Sequence, residues 1–284
     1  MKNLLSTRSN ITLQLGRIIQ QLRHLSALPK ASGKAPGTLH YACNICGRNN
    51  AVSLCTLPRD ERTCLGCGST LRQRSLISAL SRKLFGGKSI NLDAWTNIPT
   101  IRFKGISDAD LISNALSQKL DYQNTFYHQA PFLDITGPGA ADLSSCDVLI
   151  CSDVLEHVSP PVQRAFDGMR KIIRPDGFLL LTVPCNASNR TTEHFPNLND
   201  YRIHEHDGRR SLINRTKDGE TEQFDNLIFH GGPGETLELR HFALHDLEQH
   251  LLEAGFSTIE VFAQPDFEHG VYWHDAYSVP IIAS

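Results

Sequence analysis

The sequence predicts an α/β fold built on a largely parallel sheet, and three observations carry that expectation. The first is Val148-Leu-Ile-Cys151, a short apolar run that ends in a polar turn holding Asp153, Glu156 and His157. A helical segment follows as far as Arg174-Pro-Asp-Gly177, and a second apolar run, Phe178-Leu-Leu-Leu-Thr-Val183, stops at Pro184. Strand, turn, helix and strand in that order make a βαβ crossover. The second observation is that strand and helix patterns alternate upstream: residues 100–105 read as a strand, 108–120 as a helix, 122–128 as a strand and 132–135 as a very short one. The third is a helix over residues 243–254 with its stop at Gly255, followed by strands at 257–263 and 271–283. Open sheets of this kind bind ligands at the carboxyl ends of their strands, so the polar residues after Cys151 mark a crevice.

Composition sets the outer limits. The chain has 284 residues, is 40% hydrophobic and 20% charged, and carries a formal net charge of -2. These are the values of an ordinary globular protein, and they supply no bulk attraction for nucleic acid or anionic membrane. No apolar run is long enough for a transmembrane segment, and the start lacks the apolar core and small-residue cleavage site of a secretory leader, so a cytoplasmic location is expected. Four regions follow: an N-terminal helix and linker (1–40), a cysteine-rich ribbon (41–70), a connecting helix (71–92) and the α/β domain (93–284) with an insertion at 186–236. The N-terminal helix rests on an apolar stripe over residues 11–28.

The ribbon rests on Cys43-Asn-Ile-Cys46 and Cys64-Leu-Gly-Cys67, two CxxC knuckles separated by residues 47–63. Such spacing is read as a structural zinc site, because each knuckle aims two thiolates at one ion. The expected ligands of Zn2+ are therefore Cys43, Cys46, Cys64 and Cys67. Four thiolates close the coordination sphere, so this metal is expected to be structural. A pair of redox CxxC motifs is the competing account of the same residues. Cys55, Cys146, Cys151 and Cys185 read as small buried residues, and Arg72, Arg74, Arg82 and Lys83 as the solvated face of the connecting helix.

Residues 147–157 with residues 169–184 resemble strand four to strand five of class I S-adenosylmethionine-dependent methyltransferases, and Glu253-Ala-Gly-Phe256 resembles the turn before strand six of that fold. With the knuckles included, the chain resembles bacterial methyltransferases that carry an N-terminal CxxC pair. The resemblance implies a Rossmann-like sheet of seven strands, the last antiparallel, with helices on both faces. It also implies S-adenosyl-L-methionine as cofactor. Gly105 and Ser107 fall in the first turn, Asp134 and Ile135 beside the adenine, and Ser152 and Asp153 at the methionine end. Asp134 also suits an ordinary turn, and Asp153 a helix start. The acidic residue that ends the family's second strand has no counterpart in residues 122–128.

Methyl transfer asks a protein mainly to position donor and acceptor, with a general base where the acceptor must lose a proton. The insertion holds the candidates: His194, Tyr201 and His230 are expected to be catalytic, among Glu193, His204, Glu205 and His206. His204 and His206 would share one face of a strand, as a metal site requires. The insertion is expected to cover a small-molecule or glycan acceptor. A binding or scaffold protein on a fold that has lost its cofactor is the alternative.

Overall fold

The computed structural model describes residues 37–53, 57, 59–96, 101–186, 190–231, 236–273 and 278–284. The expected N-terminal helix, Cys55 and residues 232–234 lie outside them. Strands β1 (Thr38–Ala42) and β2 (Asn49–Ser53) form an antiparallel hairpin with the first knuckle at its turn. Helix α1 (Leu71–Leu84) follows the second knuckle. Thr70 accepts from the Gln73 amide at 3.2 Å and the Gln73 side chain accepts from the Thr70 amide at 3.0 Å, a reciprocal cap that fixes where the helix starts.

The α/β core begins with β3 (Arg102–Ile106), α2 (Asp110–Ser117) and β4 (Asp121–Thr125). It continues with β5 (Cys146–Ser152), α3 (Gln163–Ile172) and β6 (Ile173–Thr182). The insertion contributes β7 (Cys185–Asn186), β8 (Thr192–Glu193), β9 (Asp200–His206), β10 (Arg209–Arg215), β11 (Thr221–Phe224), β12 (Phe229–His230) and β13 (Thr236–Leu237). Then come β14 (Arg240–Ala243), α4 (Leu244–Glu253), β15 (Ile259–Val261) and β16 (Ile281–Ala283).

The main sheet has the order β15-β16-β6-β5-β3-β4, parallel throughout except for β16. Val148 to Cys151 and Leu179 to Leu181 are all buried. That explains their unbroken apolar runs: a central parallel strand is covered on both faces. Helix α3 buries Ala165, Phe166, Met169 and Ile172, one stripe of a helical surface. The crossover β3-α2-β4 moves toward one edge of the sheet and β5-α3-β6 toward the other. Right-handed crossovers therefore set α2 and α3 on opposite faces, and the chain reverses direction between β3 and β5.

Three expectations are corrected. The sheet has six strands, not seven, because residues 132–135 make only a single parallel bridge, Phe126 to Phe132. Pro131 has no amide to donate, Phe132 is exposed, and the Asp134 carboxylate caps the Thr136 amide at 2.8 Å, turning the backbone away. Residues 173–177 belong to β6 and not to the end of the helix. There Gly177 runs so close to β5 that a Cβ would lie 2.2 Å from the Asp147 carbonyl. Lastly, Arg74 is wholly buried and does not belong to a solvated face.

The insertion is built as a three-stranded antiparallel sheet, β11-β10-β9, with β10 and β11 joined across Lys217-Asp-Gly219. It has a small core of its own in Phe195, Leu198, Leu212, Leu237 and Leu239.

Candidate functional site

The carboxyl ends of β3 and β5 bring Gly105, Ser107, Ser152 and Asp153 to the switch point of the sheet. Ser107 and Asp153 both take left-handed backbone, at φ 54 and φ 55. Non-glycine residues are uncommon there, and the conformation turns each chain sharply at the mouth of the crevice. Thr182 on β6 donates to Asp153 Oδ1 at 3.0 Å and contacts Ser152 Oγ at 2.8 Å.

Arg59 from the cysteine-rich region and Arg72 from the connecting helix close over this end. Arg59 pairs with Asp153 and Asp60, and Arg72 on α1 lies 3.3 Å from Asp153 and donates to Ser152 Oγ at 2.7 Å. Beside Gly105, Tyr122 donates to Asp108 Oδ2 at 2.7 Å. A Cβ on residue 105 would meet the Tyr122 hydroxyl at 2.0 Å and Asp108 Oδ2 at 2.2 Å, so only glycine leaves space for this pair. Burial pushes the Asp108 carboxyl up to about 7, against the lowering effects of Tyr122 and of Arg72. Asp134 spends Oδ1 on Thr136, whose hydroxyl donates at 2.7 Å, while Ile135 is buried beside it.

The knuckles converge as the spacing predicts. Cys43 and Cys67 sulfurs lie 3.8 Å apart, Cys46 and Cys64 sulfurs 3.6 Å apart, and all four lie within 4.8 Å of one another. A tetrahedral ion bound at about 2.3 Å per sulfur separates its ligands by about 3.8 Å. Each knuckle closes through a glycine in left-handed backbone, Gly47 at φ 73 and Gly68 at φ 72. Arg74 is anchored behind the knuckles, donating to the Ser69 carbonyl at 2.8 Å, Thr63 Oγ1 at 2.9 Å and the Gly270 carbonyl at 3.1 Å.

His194 and His230 do meet. The two oxygens of the buried Glu238 carboxylate face them, His194 Nε2 at 2.7 Å from Oε1 and His230 Nε2 at 2.7 Å from Oε2. Tyr201 does not join them: its hydroxyl contacts Ser159 Oγ at 3.3 Å. His204 and His206 are exposed on β9, and neither belongs to a metal-sized cluster among the described residues. His157 packs its ring against His230, edge to face, with centroids 4.8 Å apart. Burial lowers the His157 pKa, and burial together with the Asp153 charge drives the Glu156 carboxyl well above its ordinary range.

Arg59, Asp108, Glu238 and Arg240 escaped the sequence reading, and Arg72, expected on a solvated helix face, instead contacts Ser152 and Asp153. Arg240 is wholly buried and donates to the Leu155 and Val158 carbonyls at 2.9 and 2.5 Å and to Glu193 at 2.8 Å. It thus holds the single turn that carries Glu156 and His157. A charged residue inside the apolar stretch 237–244 was the only available signal.

A family described as a methyltransferase domain matches residues 102–181, from β3 through β6. No curated protein matches the chain. Among solved structures, a 1,6-didemethyltoxoflavin-N1-methyltransferase from Burkholderia thailandensis is 12% identical, with a TM-score of 0.40 over 75% of this chain and 77% of that one. The glycopeptide N-methyltransferase MtfA, complexed with S-adenosyl-L-methionine, is 12% identical, with a TM-score of 0.39 over 73% of this chain and 92% of that one. The sugar N-methyltransferase KedS8 from Streptoalloteichus sp ATCC 53650 is 10% identical, with a TM-score of 0.42 over 76% and 88%.

Proposed function

We propose that the chain transfers a methyl group from S-adenosyl-L-methionine to a small-molecule or glycan acceptor. The observation that carries this reading is the family match over residues 102–181, the segment whose strands β3 and β5 frame the crevice at the switch point. Bound there, S-adenosyl-L-methionine supplies an electrophilic methyl group.

The chemistry of the lining suits such a ligand. Asp134 keeps Oδ2 free of its Thr136 contacts and can accept from an amine, with Ile135 as an apolar neighbour. Gly105, Ser107 and Asp108 supply polar groups at the first turn, where β4 ends in Thr125 and not in an acid. Ser152 and Asp153 stand at the far end, where Arg59 and Arg72 suit a ligand carboxylate. His194, oriented by Glu238, is the group able to take a proton from an acceptor, and His230 shares the same carboxylate. The four knuckle cysteines hold Zn2+ as a structural ion. No described helix is long and apolar enough to cross a membrane.

The ion pairs that tie Asp153 to Arg59 and Arg72 favour a second reading, a scaffold whose crevice has closed on itself. Calorimetric titration with S-adenosylmethionine and S-adenosylhomocysteine decides between them. The enzyme reading expects saturable heat with both ligands and, in Asp153→Ala, a loss of turnover of about a hundredfold. Absence of heat at millimolar ligand overturns it and leaves the scaffold.

A further inference from the structure

Among the described residues, Glu156 is the only carboxylate with both oxygens buried and without a hydrogen-bond partner. It is 0% exposed, and a buried carboxylate left in that state is costly. Two histidine nitrogens face its Oε1, His157 Nε2 at 3.7 Å and His230 Nδ1 at 3.8 Å.

The outer nitrogens of these rings fix what the inner ones present. His157 Nδ1 lies 2.9 Å from the Leu237 carbonyl, which can only accept, so Nδ1 carries the hydrogen. His230 Nε2 lies 2.7 Å from Glu238 Oε2, and the same reasoning places its hydrogen there. Neutral rings held this way turn a lone pair on His157 Nε2 and one on His230 Nδ1 toward the Glu156 carboxylate. Among the described residues, one other polar group reaches these nitrogens, the Thr236 hydroxyl, which lies 3.4 Å from His157 Nε2 and can donate to it. Three electron-rich atoms served by that one long contact suit a cation.

We propose that Glu156, His157 and His230 bind a divalent transition-metal ion of the zinc type, separate from the ion of the four cysteines. A tetrahedral ion at about 2.0–2.1 Å separates its donor atoms by about 3.4 Å. The three atoms already lie within 4.8 Å of one another, and the two carboxylate–histidine separations, 3.7 and 3.8 Å, are within a few tenths of an ångström of that value. Two imidazoles favour zinc, iron, cobalt or nickel over magnesium or calcium. The surroundings are those of a metal site: each histidine donates its outer N–H to a carbonyl or a carboxylate, and Glu238 is itself held by His194. Three protein ligands leave a fourth position open, unlike the closed thiolate set. Use of that position by an acceptor oxygen rests on the methyl-transfer reading; occupancy by the ion does not.

The test is metal content of the full chain after zinc loading and gel filtration, measured by mass spectrometry. His230 is one-third exposed on a two-residue strand, so His230→Asn should fold, with circular dichroism as the check. The expected result is about one zinc per chain fewer in His230→Asn and in Glu156→Gln than in the unaltered protein, with His206→Ala, at an exposed histidine outside the cluster, keeping the full count. The difference carries the test, so the state of the cysteine site does not affect it. Equal zinc content in the unaltered protein and both ligand variants overturns the proposal, whatever the outcome of cofactor calorimetry.

Discussion

The cysteine knuckles and the Glu156–His157–His230 cluster are two answers to gathering electron-rich atoms around one point. The knuckles do it locally: each supplies two sulfurs within four residues, and a glycine in left-handed backbone closes the turn. The second cluster draws on a single turn after β5 and on a two-residue strand of the insertion more than seventy residues later. Each is backed by a wholly buried arginine. Arg74 ties the knuckles to α1 and to the Gly270 carbonyl, and Arg240 ties the Glu156 turn to Glu193. The difference lies in what depends on the cluster. The knuckle turns are closed by their own four sulfurs on a two-stranded hairpin, which joins the main core through Leu39, Tyr41, Ile45 and Leu57, whereas the second cluster rests on a larger sheet and an insertion that each have a core of their own.

The largest expected effect therefore falls on the knuckles. Cys64→Ser should lower the melting temperature more than any change at His230, because binding free energy at a structural zinc site is folding free energy, on the order of 10 kcal/mol in small domains. Thermal unfolding of Cys64→Ser beside His230→Asn checks this, and equal melting temperatures would remove the asymmetry between the clusters.

A smaller loss is expected from the arginines. Arg74→Met and Arg240→Met each strip buried carbonyls of a charged donor and should cost about 3 kcal/mol. Urea unfolding with an unchanged slope is the measurement. A markedly larger cost for Arg240 would show that the Glu156 turn is the more dependent of the two.

Smaller again, per pH unit, is the effect expected at the crevice between them. Burial raises Asp108 to about 7 from 3.8, so between roughly pH 4 and pH 7 the folded chain keeps a proton that the unfolded chain has released. Stability should fall as pH rises through that window, by at most about 1.4 kcal/mol per pH unit, and level off above it. Asp108→Asn should flatten that part of the profile, read from urea midpoints at pH 5 and pH 7; an unchanged slope would mean that Asp108 is already ionised in the folded protein.

Much of the α/β core was legible in the sequence because its signals are local. The run from Val148 to Cys151 must be covered on both faces, and Gly255 marks the helix end one residue beyond Ala254. The four knuckle cysteines were legible for the same reason. The seventh strand was misjudged because apolar character at residues 132–135 does not reveal that Asp134 spends its carboxylate on turning the chain. Tyr201 was grouped with His194 and His230 by proximity in sequence, but the register of β9 against β10 carries it to Ser159.

What the sequence by itself determined is the set of contiguous elements: the crossover from β5 to β6, the paired knuckles, and the helix that stops at Gly255. Periodicity, turn chemistry and cysteine spacing act over a few residues and leave their mark there. Only the tertiary structure decided that Arg59 and Arg72 would close on Asp153, that Arg74 and Arg240 would be buried, and that His230 would face Glu156. Those outcomes depend on where the insertion and the ribbon come to rest on the sheet, which is set by burial and polar pairing across long separations along the chain.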